Sequence, residues 1–179
     1  MDDRTRLAPA SQRGLTLVEC LLAVTILGLV VTLAPGHLHS LLVSHRLESG
    51  QNQIRVLLAR ARTEALSRNT AVTICRTTDG QQCAGTSRVG SQAWTGALLF
   101  VDLDQDRMVG TGETVFYVAN FHRAVNIAWN RGDSLIYRSN GTVLGGSNGT
   151  FVLQTEGADV ERRVVVSLLG RIRTEEITL

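Results

Sequence analysis

Lysine is absent: every one of the 18 basic side chains in this chain of 179 residues is arginine. We read that as an effect of genome base composition, but it has a chemical consequence. Arginine makes bidentate phosphate contacts that lysine cannot. Aromatic residues make up only 4% of the chain, which argues against single-strand recognition by base stacking. Two prolines and no G-X-Y period exclude a proline-rich linker or a collagen-like rod. Charged residues are 19%, below the roughly 25% of an average soluble domain. The 44% hydrophobic share excludes wholesale disorder. A net charge of +2 is too small to drive nucleic-acid binding on bulk charge alone. No glycine-lysine phosphate loop, H-E-x-x-H or G-x-S-x-G occurs, and His122 is the one histidine beyond residue 69. No enzyme, cofactor or metal centre is expected. The length allows one domain, or a small domain with an appendage.

The apolar residues are concentrated early. Leu15 to Ala34 reads LTLVECLLAVTILGLVVTLA, with Glu19 its single charge. At about 1.5 Å per residue this spans a hydrocarbon core of roughly 30 Å. A secretory signal would be shorter and would end in a small-x-small site, whereas Pro35-Gly36-His37-Leu38-His39 follows. A plain anchor fits Arg4, Arg6 and Arg13 on the cytoplasmic side but leaves Glu19 unexplained, since a carboxylate in an apolar span is functional by default.

A third reading uses every feature. Arg13-Gly14-Leu15-Thr16-Leu17-Val18-Glu19 before an apolar run resembles the class III signal of type IV pilins and pseudopilins. The resemblance implies cleavage by a prepilin peptidase between Gly14 and Leu15, N-methylation of Leu15, and Glu19 as the acid that pairs with a neighbouring subunit's terminal amine during assembly. A buried carboxylate is tolerable when a cation neutralises it. Leu15 departs from the phenylalanine usual in that family. The resemblance also implies other major and minor pilins as partners through the helix, an inner-membrane precursor with a periplasmic C-terminal domain, and a place in a pilus or pseudopilus after assembly.

Beyond the span, Leu47, Ile54, Leu58, Ala61 and Ala65 keep a 3.6-residue period between charged residues. This predicts one long helix from about Leu15 to Arg68, loosened at Pro35-Gly36. His37, His39 and His45 have no carboxylate or cysteine beside them and read as exposed interfacial residues. From Asn69 the pattern turns to short strands: Thr70–Arg76, Ala97–Asp102, Thr114–Ala119, Ala124–Trp129, Ser134–Arg138, Thr150–Thr155, Arg163–Leu168 and Arg171–Leu179. Asn140-Gly141, Gly145-Gly146 and Asn148-Gly149 are turn signals. The expected fold is α+β, a long helix on antiparallel sheets. Its parts are a leader (1–14), a membrane and assembly helix (15–34), an amphipathic continuation (35–68) and a β-rich domain (69–179).

Cys75 and Cys83 can close a small loop on the oxidising outer side of the membrane, so a structural disulfide is expected. Cys20, inside the span, reads as a small hydrophobe. Asp102-Leu103-Asp104-Gln105-Asp106 with Glu113 has the acid spacing of an EF-hand loop. Arg107 stands where that loop needs glycine, and the flanking runs are strands, so an acidic hairpin turn is the preferred reading over calcium binding.

The order of landmarks narrows the family. The Cys75–Cys83 loop, Trp94-Thr95-Gly96-Ala97-Leu98-Leu99-Phe100-Val101-Asp102, Ser139-Asn140-Gly141-Thr142 and Gly170-Arg171-Ile172-Arg173 resemble, in sequence order, those of the GspH/FimT group of minor pilins. The closing G-R-x-R is similar to the motif linked to DNA capture in FimT-type minor pilins. In a strand, Arg171 and Arg173 share a face and could bridge successive phosphates, with Arg162 and Arg163 widening the patch. Against this stand Glu161, Glu175 and Glu176, and a region from Asn69 on with ten arginines and eleven acids. Binding to duplex DNA would be local and salt-sensitive. The expectation is a minor pilin at or near a pilus tip; the alternative is the corresponding pseudopilin of a type II protein secretion system.

Overall fold

The computed structural model describes residues 16–33 and 35–179, with side chains described at 16–29 and 41–179. The chain divides into two compact units, residues 1–39 and 40–179.

Helix α1 (Leu17–Leu33) opens on a reciprocal capping box. The Glu19 amide donates to Thr16 Oγ1 at 3.3 Å, and the Thr16 amide donates to Glu19 Oε2 at 3.4 Å. Leu17, Val18, Leu21, Leu22, Val24 and Ile26 are all exposed, so the helix is apolar on every side. Among the described residues no helix is long and apolar enough to cross a membrane. The expected span includes Leu15 and Ala34, which lie outside the described residues, as does the expected leader.

Helix α2 (Pro35–Arg68) starts on the proline expected to loosen the helix. A proline fits the first turn of a helix because its missing N–H has no partner there anyway. The helix ends in a Schellman cap: Asn69 takes a left-handed φ of 51°, and the Thr70 amide donates to the Ala65 carbonyl at 3.2 Å. Leu47, Ile54, Leu58, Ala61 and Ala65 are fully buried, as the periodicity requires, and Leu57 joins them.

Nine strands follow: β1 (Val72–Thr77), β2 (Gln92–Ala93), β3 (Gly96–Val101), β4 (Val115–Asn120), β5 (Asn126–Trp129), β6 (Ser134–Tyr137), β7 (Gly149–Gln154), β8 (Val160–Val166) and β9 (Ile172–Thr178). They form two antiparallel sheets, ordered β4-β3-β1-β6 and β2-β5-β7-β8-β9. The eight expected strands are all present with shifted ends; β8 begins three residues earlier than its apolar run suggests, on Val160-Glu161-Arg162. β2 has no counterpart in the sequence pattern, because two residues carry no period.

One core joins the α2 stripe to both sheets, through Ile74 and Leu99 of the first and Ile127, Phe151, Leu153 and Val164 of the second. Trp129 stacks on Phe151 at 4.3 Å, and Trp94 meets the same ring edge-on at 5.3 Å. Gly50 lets α2 sit close to this layer, since a Cβ there would lie 3.2 Å from Leu153. The fold is the α+β arrangement read from the sequence.

Candidate functional site

Four regions carry the residues singled out above. At the N-terminus, Gly14 and Leu15 lie outside the described residues. Glu19 is exposed and tied to Thr16, where its carboxylate caps the positive end of α1. Cys20 is a free thiol exposed on the same helix, so in this chain alone it is not a buried hydrophobe.

The second region is the cysteine loop. Cys75 of β1 and Cys83 form a disulfide with Cα atoms 5.5 Å apart, packed on Leu98 and Phe100. A part-buried ion pair holds the loop beyond it: Arg76 Nε donates to Asp133 Oδ1 at 2.8 Å, while Arg76 Nη2 donates to the Ala84 carbonyl. Asp133 Oδ2 accepts from the Ser87 amide. Asp79 accepts from the amides of Gln81 and Gln82, which hold its carboxyl below the ordinary carboxylate range.

The third region is the β8–β9 hairpin with its four arginines. The register pairs Val166 with Ile172, Val165 with Arg173, Arg163 with Glu175 and Arg162 with Glu176. Because alternate residues face opposite ways, the four do not share one surface. Arg162 points to the α2 side, donating to Gln51 Oε1 and pairing with Glu176 at 3.0 Å. Arg163 is on the other side, paired with Glu161. Arg173 shares that side and pairs with Glu175 at 2.8 Å. Arg171 lies one residue before β9 and closes the turn: its carbonyl accepts from the Ser167 amide and its amide donates to Ser167 Oγ. Among the described residues the exposed Arg171 guanidinium has no hydrogen-bond or ion-pair partner. Leu168 and Leu169 beside it are also exposed.

The sequence offered no signal for what holds this turn. Arg62 of α2 donates to the carbonyls of Gly170 at 3.0 Å and Leu169 at 3.3 Å. Gly170 has a φ of 70°, and a Cβ on it would lie 2.2 Å from the Gly141 carbonyl. The Asn140-Gly141 turn and the G-R-x-R ending are therefore in contact.

The acid loop joins β3 to β4. Arg107 takes a φ of 74°, so the sharp turn expected to need glycine is made by arginine. Its guanidinium is buried and donates to the hydroxyls of Ser134 and Ser147. Glu113 accepts from the amides of Leu103 and Gly110 at 2.7 and 2.8 Å, which closes the loop. Asp102 is fully buried, and burial raises its carboxyl above the ordinary value; the Thr73 hydroxyl opposes that rise and the Glu113 charge adds to it.

Comparison with known proteins agrees with this architecture. Residues 51–170 match the family model described as type II transport protein GspH, and residues 9–35 match the prokaryotic N-terminal methylation motif. The pilin-like protein PilA1 of Thermus thermophilus is 34% identical over 176 residues, covering 92% of this chain and 99% of the relative. The crystal structure of the type IV minor pilin FimU of Pseudomonas aeruginosa superposes with a TM-score of 0.57 at 20% identity, over 74% of this chain and 90% of FimU. A second crystal form of FimU gives 0.54 at 21% identity, over 72% and 92%. Fold and motifs together define a pilin-like subunit with an N-terminal methylation motif. The chain belongs to the GspH family, as a GspH/FimT-like minor pilin or pseudopilin.

Proposed function

We propose that this chain is made as an inner-membrane precursor, cut by prepilin peptidase between Gly14 and Leu15, methylated on Leu15, and assembled through its N-terminal helix at or near the tip of a type IV pilus. Its bulk lies in the periplasm before assembly. The observation that carries this reading is α1: an apolar helix exposed on every side, with Glu19 at its head, needs lipid or other apolar helices around it. Glu19 would exchange its cap on Thr16 for the terminal amine of a neighbouring pilin. Replacing Glu19 by alanine is expected to remove the chain from sheared filaments while the precursor still reaches the membrane. Unchanged recovery of Glu19→Ala in filaments would contradict the reading.

The free guanidinium of Arg171 favours a second role, contact with duplex DNA. With Arg162, Arg163 and Arg173 already paired to acids, DNA would meet Arg171 first and draw Arg173 from Glu175. Titration of duplex DNA at low and physiological salt, with Arg171→Ala/Arg173→Ala alongside, tests it. Salt-sensitive binding lost in the variant supports DNA capture. Absence of binding at low salt leaves an assembly subunit. The name of the matched family model favours a type II secretion pseudopilus as the other setting for the same assembly chemistry.

A further inference from the structure

Beyond the assembly reading, and independent of it, the β3–β4 loop holds a feature that packing leaves unexplained. Asp102 is 0% exposed, and its Oδ1 has no hydrogen-bond partner. Oδ2 accepts from the Thr73 hydroxyl at 2.5 Å. Among the described residues Asp102 makes no ion pair; the buried Arg107 guanidinium is hydrogen-bonded to the two serine hydroxyls and attracts Asp102 only through space. A carboxylate removed from water with an oxygen unsatisfied is costly unless a cation meets it. The neighbouring acids add to that cost. One oxygen from each of Asp102, Asp104 and Asp106 lies within 4.8 Å of the others, and like charges this close repel.

We propose that Asp102, Asp104 and Asp106 form a binding site for a divalent hard cation, and that the ion is calcium. Three carboxylates at this spread can share one ion at oxygen distances of about 2.3–2.6 Å, whereas magnesium needs about 2.0–2.1 Å in a stricter octahedron. The buried Asp102 carboxylate gains a counter-charge, and the repulsion among the three acids becomes shared attraction to the ion. The acids occupy the first, third and fifth places of a calcium loop, and the left-handed Gln105 (φ 61°), between the second and third of them, turns the chain within the cluster. Glu113, in the twelfth place, does not join the group; it spends both oxygens on the Leu103 and Gly110 amides and shapes the loop instead. Water and loop carbonyls complete the coordination. Because Asp102 is bonded to Thr73 of β1, the ion would pin the β3–β4 loop to the middle of the first sheet.

The test uses the full chain in detergent, stripped with a chelator and titrated with calcium chloride or magnesium chloride by calorimetry, with thermal unfolding in parallel. The expected result is one calcium per chain, with Kd on the order of 10⁻⁴–10⁻³ M as in extracellular modules, weaker magnesium binding, and a higher unfolding temperature with calcium. Asp104→Asn/Asp106→Asn alters two exposed side chains, so it is expected to fold in chelator as the parent does and to lose the calcium heat and shift. A parent that is folded in chelator, by circular dichroism, yet shows neither heat nor shift with calcium overturns the proposal. So does a double variant that binds calcium as tightly as the parent.

Discussion

The Nη1 of Arg62, near the C-terminal end of α2, donates to the carbonyl of Gly170, 108 residues later, at 3.0 Å. This one hydrogen bond ties the helix to the turn that presents Arg171, and the same guanidinium lies against Gly141, where a Cβ would come 3.2 Å from Arg62 Nε. Two landmarks that look independent in the sequence are thus held by one side chain.

Removing that side chain leaves the Leu169 and Gly170 carbonyls without their donor. Arg62→Ala is expected to destabilise the chain by about 1–3 kcal/mol, as for loss of a charged hydrogen bond in a part-buried site. Denaturant unfolding of the purified chain measures it. Arg62→Lys recovers only part, because lysine lacks the fork that reaches two carbonyls.

Gly170→Ala tests the close approach itself. A left-handed φ and a Cβ 2.2 Å from the Gly141 carbonyl cannot both be accommodated, so a loss of more than about 1 kcal/mol is expected. The glycine of the G-R-x-R motif is then a packing requirement. A Gly170→Ala chain with parental stability would contradict this.

The disulfide closes a short loop, with Cys83 eight positions after Cys75. Cys75→Ser/Cys83→Ser is expected to cost about 2–3 kcal/mol, read as a lower unfolding midpoint that matches the reduced parent.

Tyr137 supplies a pH prediction. Burial raises its phenol well above the ordinary value of 10.0, and its hydroxyl has no hydrogen-bond partner. The folded chain keeps the proton while the unfolded chain gives it up near the ordinary value. Stability from this group is therefore full below about pH 10 and declines as pH rises above it. Tyr137→Phe is expected to flatten that alkaline decline and to leave stability at neutral pH equal or slightly higher, since an unpaired buried hydroxyl is removed. Unfolding midpoints of both chains across alkaline pH check it.

Legibility in the sequence followed the range of the interactions. The α2 stripe from Leu47 to Ala65 was readable because a helix repeats locally, and the strands were readable from β-branched runs bounded by Gly and Asn. The pairing of the hairpin arginines was not. It depends on register, which sets Arg162 opposite Glu176, and on α2, which supplies Gln51. A charge count could name the three acids but not their partners. The backbone at Arg107 is illegible for another reason: a single-residue preference for glycine in the left-handed region is overridden when the guanidinium is anchored on Ser134 and Ser147. The role of Arg62 had no local signal at all.

The most direct test of the central claim is mass spectrometry of the chain's N-terminus in sheared surface filaments. The account predicts a chain that begins at Leu15, carries one N-methyl group, and is found in the filament fraction. A chain that keeps residues 1–14, or one cut elsewhere and absent from filaments, would contradict it.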